Sequence, residues 1–273
     1  QTSNFYKIPT DEKSMISKPW RQDPYHFHTV HISILALIKM TIHARSGGSI
    51  EIMGMMIGKI YDSGDMIIMD SYPLPVQGTE SRVNPLNESY EFMLNYLQDL
   101  KKLNFKNEDI IGWYHSHPGF GCWLSGVDIK TQELNQNFQD PYVAVVIDPE
   151  RTLQQGIVEI GAFRTFYNDN KPSKTKTNSN KDKPIGISSS KLKDYGYHAD
   201  DYYSLKIKIF KNTIDDKILN LIKSENWLNG LLHNNNSADI DNSNKIENLS
   251  NLIKNQKPNP IKLNQLPLSS SST

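Results

Sequence analysis

Apolar positions along this chain change their period in a regular order. Ser33 precedes "ILALIKMTIHAR", an apolar run that stops at Gly47 and Gly48. A hydroxyl before such a run and glycine after it predict the start and stop of a buried helix. The next two runs, "SIEIMGMMIGKI" (49–60) and "DMIIMDSYPLPV" (65–76), are rich in strand formers and separated by "DSG", which predicts neighbouring strands in a hairpin. "QGTESRVNPLNESY" (77–90) is polar and aperiodic and reads as a surface loop. Over 88–103, Tyr90, Met93, Leu94, Leu97 and Leu100 recur at three and four, the spacing of a helix with one inner face. Strands are predicted in "DIIGWYHS" (109–116), "PYVAVVID" (141–148) and "QGIVEIGAFRTFY" (155–167), with a helix over 125–138 between the first two. One helix before the sheet and two within it make an α/β (α+β) domain.

The flanks read differently. Residues 1–24 are polar, with prolines at 9, 19 and 24, and are expected as an arm on the surface of a domain spanning 25–167. Residues 168–186 lack periodicity and read as a flexible insert. In 187–231, "YYSLKIKIF" (202–210) alternates like a strand, and Thr213 with Asp216 predicts a capped helix, giving a small strand-helix unit. From 232 to 273 the chain is rich in asparagine, serine and lysine, a low-complexity tail expected to have little order.

Charge narrows the functional classes. Lys+Arg and Asp+Glu both total 30, so no net field draws the chain to nucleic acid or to an anionic membrane. No apolar run approaches the roughly 18 residues of a spanning helix, and the first residues lack the charged-then-apolar order of a secretory signal. The single cysteine, Cys122, cannot form an internal disulfide and fits a reducing compartment. Cytoplasm and nucleus are the expected locations.

The candidate chemistry lies in "GWYHSHPGFGCWLSGVDIKTQ" (112–132). On an extended strand, His115 and His117 point to the same side and can chelate one ion. Catalytic zinc commonly takes three protein ligands and keeps a fourth position for water. Asp128 is the nearest third candidate, because "PGFGCWL" can turn the chain back and bring the first turn of the next helix beside the strand. Two imidazoles and a carboxylate suit zinc better than magnesium. Taken alone, Ser125 and Asp128 at i, i+3 also read as an ordinary capping box. A second H-x-H, in "HFHTVH" (26–31), is a control: the same offsets from its histidines reach Ala36 and Lys39, which cannot play the serine and aspartate parts.

Hydrolysis at such a site needs a proton acceptor. Glu51, in the otherwise apolar "SIEIMGMMIG", is the candidate, since a carboxylate there is costly to bury without a task; a solvent-facing residue at a strand edge is the other reading. Cys122 offers a rival chemistry, a thiol paired with His115 or His117, but it lacks an orienting partner and both histidines are better used on metal.

Glu51, "HSHP", seven residues from His117 to Ser125, and then Asp128 resemble the complete signature of Jab/MPN-domain (JAMM) metallo-isopeptidases. "KPW", "ARSGG", "MIIMDSYPLPVQGTESRVN", "LNQNFQDPYVAVVIDPERT" and "GAFRTF" extend the resemblance over roughly 18–231, toward the signalosome branch of that family. The resemblance implies an MPN fold, a central mostly antiparallel sheet flanked by helices with a small C-terminal strand-helix extension. It also implies one zinc per chain on His115, His117 and Asp128, with Glu51 as general base and Ser125 stabilising the oxyanion. The implied reaction is removal of a ubiquitin-like modifier from cullin lysines, and the implied partners are other signalosome subunits, especially a second MPN-domain subunit. A deubiquitinase of the proteasome-lid type and a non-catalytic MPN scaffold are the alternatives. The chain departs from the family in its lysine- and asparagine-rich insert and in the tail beyond 232.

Modifier tails ending in Gly-Gly call for a narrow approach, and Trp113, Phe120 and Trp123 could wall it; plain core packing is the competing reading for each. The loop "VQGTESRVN" carries Glu80 and Arg82. Glu80 could occupy the open metal position and close the site, and Arg82 could pair with an acidic group when the loop opens. An ordinary solvated loop is the alternative.

Overall fold

The computed structural model describes residues 5–7, 11–61, 64–75, 77–78, 83–84, 87–102, 109–167 and 200–224. Seven strands close into a ring in the order β1 (Thr29–Ser33), β3 (Asp65–Pro73), β2 (Met53–Tyr61), β6 (Asp109–Ser116), β7 (Val143–Asp148), β8 (Glu159–Thr165) and β9 (Tyr202–Phe210), which returns to β1. Four pairings are antiparallel, and three (β1 with β3, β6 with β7, β9 with β1) are parallel. A separate ladder joins β4 (Gln77–Gly78) to β5 (Val83–Asn84). The helices are α1 (Glu12–Ser17), α2 (Ile34–Ser46), α3 (Asn87–Lys102), α4 (Gly126–Phe138), α5 (Pro149–Gln155) and α6 (Thr213–Ser224).

Strand alternation sorts the core onto two faces. On β7, Val143, Val145 and Ile147 join Met56, Ile60, Ile111 and Tyr114 in a cluster covered by Ala36, Leu37, Met40 and Ala44 of α2. Ala144 and Val146 face the other way, with Met55, Ile57 and Trp113, and are covered by Ile129 of α4 and by Met93, Tyr96 and Leu97 of α3. Each large apolar side chain fully buried in this way contributes about 1.5–3 kcal/mol of transfer free energy. The alternation also fixes which way the β6 histidine points: Tyr114 turns to α2, where it shares a 2.8 Å hydrogen bond with His43 Nδ1, and Trp113 and His115 turn to the α4 face.

Several local expectations need correction. Glu51 precedes β2, because the turn in which Ile50 N–H bonds the Gly47 carbonyl delays the strand to Met53. The last three residues of "HFHTVH" open β1, which runs on to Ser33. Helix α5 was not anticipated: it takes the first residue of the strand expected from 155, Gly156 at φ 70° stops it, and β8 starts only at Glu159. The cap of α6 is Asn212, one residue earlier than Thr213: its Oδ1 accepts from Ile214 and Asp215 N–H, and Asp215 accepts from Asn212 N–H. The strand-helix extension is not an addition to the sheet, since β9 completes the ring. By compactness the chain divides after Asp216, with the ring in the first unit.

The polar N-terminal segment is anchored, not merely laid on the surface. Trp20 is buried, and its indole donates to Asp140. Asp140 also pairs with Arg164, which is buried on β8, so one carboxylate ties the segment to the α4–β7 connection and to β8. The insert, the low-complexity tail, Glu80 and Arg82 lie outside the described residues.

Candidate metal centre

β6 delivers His115 at its end and His117 just beyond it, both buried. The chain then turns through Gly119 and Gly121, both at φ 80°, a backbone region that glycine enters without steric cost. It re-enters as α4, whose N-cap is Ser125. Ser125 Oγ accepts from Asp128 N–H, and Asp128 Oδ2 accepts from Ser125 N–H at 2.8 Å, a reciprocal capping box. The box is real, and it is also what places the Asp128 carboxylate against the histidines.

His115 Nε2 and His117 Nε2 lie 3.2 Å apart, and each is 3.5 Å from Asp128 Oδ2. A tetrahedral ion with ligands at about 2.0–2.1 Å has ligand-to-ligand edges of about 3.3 Å, so the three donors already stand at the separations zinc requires. Their ligand atoms all fall within 4.8 Å of one another, the one such His/Cys/Asp/Glu group among the described residues. The His31 motif is used otherwise: His31 Nε2 bonds Asp65 Oδ2 at 2.9 Å.

The electrostatics agree with a cation site. Burial alone would raise the Asp128 carboxyl, but the facing His115 and His117 imidazoles outweigh it and hold the group well below the usual carboxylate range. His117 Nδ1 bonds the Gly121 carbonyl at 3.2 Å, which turns the Nε2 lone pair toward the site. His115 stacks on Trp113, with ring centroids 4.5 Å apart and planes at 14°. His115 Nδ1 is buried and has no hydrogen-bond partner, so the position of this ring rests on packing.

Glu51 is buried at 4 % exposure, which removes the solvent-facing reading. Met53 is opposite His115 in the β2–β6 register. Beyond that pair, Ser116 N–H donates to the Ile52 carbonyl and Ile52 N–H to Ser116 Oγ, each at 3.0 Å. Glu51 is thus held at the His117 end of β6. Ser125 Oγ donates to Asp128 Oδ2 at 2.6 Å, so a role toward an oxyanion requires that hydroxyl to turn away from Asp128.

The three aromatic candidates separate. Trp113 is buried behind His115, its indole donating to Gln132 Oε1 at 2.9 Å; it supports a ligand ring and does not wall a channel. Trp123 is buried edge-on to His117, with its indole donating to the Phe120 carbonyl. Phe120 is half-buried. The thiol of Cys122 is pushed up by enclosure and by the Glu159 and Asp148 carboxylates, the opposite of what a nucleophile needs.

Two supporting residues escape sequence reasoning. Gln132, fully buried on α4, clamps Trp113 and also donates to the Tyr142 carbonyl; its place three residues after Ile129 on the buried face of the helix was its only trace. Asp148, fully buried, accepts from Gly119 and Gly121 N–H; "DPE" at the end of an apolar run was a legible helix cap.

Residues 25–141 match the family described as JAB1/Mov34/MPN/PAD-1 ubiquitin protease. The chain is 51% identical over 250 residues to COP9 signalosome complex subunit 5 of Debaryomyces hansenii, covering 92% of this chain and 52% of that protein. Subunit 5b of Arabidopsis thaliana is 48% identical, at 83% and 62% coverage. Subunit 5 of Gibberella zeae is 47% identical, at 91% and 73%. The chain therefore spans between half and three quarters of the length of these relatives. A buried His-His-Asp cluster built on this fold, and identity near one half along most of the chain, place it: this chain belongs to the JAB1/MPN family, among the subunit 5 proteins of the COP9 signalosome.

Proposed function

We propose that this chain is a zinc-dependent isopeptidase that releases a ubiquitin-like modifier from cullin lysines as a signalosome subunit. The observation that carries the reading is the trio His115, His117 and Asp128, set at tetrahedral separations in a buried site, with Glu51 buried at the His117 end of β6. The residues fit zinc, which would be held by the two Nε2 atoms and an Asp128 oxygen. Zinc bound there would polarise the scissile carbonyl and bring the pKa of a water to about 7.

The chain's own groups do the rest. Glu51 accepts the proton of the attacking water and later delivers it to the departing lysine amine, a poor leaving group until protonated. Its burial excludes bulk water from that exchange. The Ser125 hydroxyl, once turned from Asp128, donates to the developing oxyanion. His117 and Asp128 are oriented by the Gly121 carbonyl and by the Ser125 cap, so little reorganisation is left for the reaction itself. The relatives carry the names of subunits of a complex, which supports assembly with other subunits; a second MPN-domain subunit is the partner that the family resemblance implies.

The test is hydrolysis by the purified chain, assembled with its partner subunits, of a modifier–cullin conjugate and of ubiquitin chains in parallel. Preferential release of the modifier from the cullin supports the reading. Preferential cleavage of ubiquitin chains supports the deubiquitinase alternative, and metal-free, inert protein supports the scaffold.

A further inference from the structure

We infer that Asp148 is a positioning residue for the metal centre, fixing the tautomer and orientation of His117 through the turn between them. The inference rests on the metal reading of His115, His117 and Asp128. Asp148 ends β7 with no exposed surface. Its Oδ1 accepts from Gly119, Glu150 and Arg151 N–H, each at 3.0 Å. Its Oδ2 accepts from Gly121 N–H at 2.7 Å and lies 3.4 Å from Arg151 Nε. The carboxylate therefore has two duties on two oxygens: Oδ1 caps α5 and holds one end of the turn, and Oδ2 holds Gly121.

The Gly121 peptide group links that second duty to the metal. Its neighbouring carbonyl, on the same residue, is the partner of His117 Nδ1. A glycine at φ 80° can rotate, and nothing covalent prevents the carbonyl from leaving the imidazole. The bond to Asp148 Oδ2 restrains that rotation, and the Arg151 guanidinium packs against Gly121 on the side where a Cβ would come within 3.2 Å of it. His117 N–H, bonded to the Ile147 carbonyl at 2.9 Å, holds the histidine backbone to the same strand end. Asp148 thus reaches the imidazole through one intervening residue, with Nδ1–H directed at a fixed acceptor and Nε2 left as the donor atom for metal.

The two-oxygen division supplies a selective test. In Asp148→Asn, asparagine is as good a helix cap as aspartate, so its oxygen can keep the Oδ1 bonds. Its NH2 would then face the Gly121 N–H and Arg151 Nε–H, donor against donor, and release the Gly121 end of the turn while Gly119 stays held. The fold is checked by circular dichroism and thermal melting. Two readouts are taken on the full chain: zinc affinity by competition with a chromophoric chelator, and the protonated nitrogen of His117 in metal-free protein by long-range 1H–15N correlation at mildly alkaline pH. Wild type should carry the proton on Nδ1. Asp148→Asn should show an Nε2–H population and bind zinc about 10- to 100-fold more weakly, the range for losing an outer partner of a metal ligand.

Should Asp148→Asn not fold, Gly121→Ala tests the same link from the other side, because alanine at φ 80° moves the turn, and the same two changes are expected. An unchanged tautomer, with or without a weaker affinity, overturns the inference, as does unchanged affinity. Wild-type protein that takes up no zinc overturns the metal reading itself, and is told apart by the wild-type titration alone.

Discussion

The indole of Trp113 lies parallel to the imidazole of His115, 4.5 Å away, while its Nε1–H is held by Gln132. The ligand ring with no hydrogen bond at Nδ1 is therefore placed by a second ring that is itself anchored to α4. Trp113→Phe keeps a ring for the stack and removes the donor, leaving Gln132 Oε1 buried without it. A loss of about 1–3 kcal/mol in denaturant unfolding is expected, with zinc stoichiometry retained.

Glu51→Gln leaves all three ligands in place and removes only the proton acceptor. It should keep wild-type zinc content while turnover falls by a factor of about 100–10,000. Near-normal turnover by zinc-loaded Glu51→Gln protein would assign the base elsewhere.

Cys122 should be dispensable. Its thiol is raised, so at neutral pH it is protonated, slow to alkylate and not a nucleophile. Because its folded pKa exceeds the unfolded value of about 8.5, the stability it contributes is whole below that pH and declines as pH rises through the alkaline range. Cys122→Ser should retain activity and flatten part of that alkaline decline, measured by unfolding between neutral and alkaline pH.

The pairing of Asp140 with Arg164 concerns the fold and not the chemistry. Asp140→Ala would strand the Arg164 guanidinium, 1 % exposed, and release Trp20. Breaking a buried pair in this way costs about 3–5 kcal/mol, so a large drop in unfolding free energy is expected, while the protein that remains folded keeps its zinc.

Much of this was legible in the chain because the signals were local. Ser33 and Ser125 cap the helices that follow them, and the apolar run "DIIGWYHS" gave β6 its bounds, with His115 and His117 on one side of the extended chain. The ligand trio was legible because strand, turn and first helical turn are consecutive, so no long-range contact had to be guessed. What stayed hidden depends on distant partners. β1 is parallel to β3 and β9, neither adjacent in sequence, and its buried face follows from neighbours the segment cannot announce. Trp20 looked like part of a surface arm because its partner, Asp140, is 120 positions away. Asp148 and Gln132 have ordinary local readings, a cap and a helix residue, and their service to His117 and Trp113 appears only when the strands are side by side.

The most direct test is metal analysis of the purified chain, beside His117→Ala, by inductively coupled plasma mass spectrometry after exhaustive dialysis. One zinc per wild-type chain and none in the variant is the expected result. Equal zinc in both proteins, or none in either, would contradict the assignment of His115, His117 and Asp128 as the metal centre.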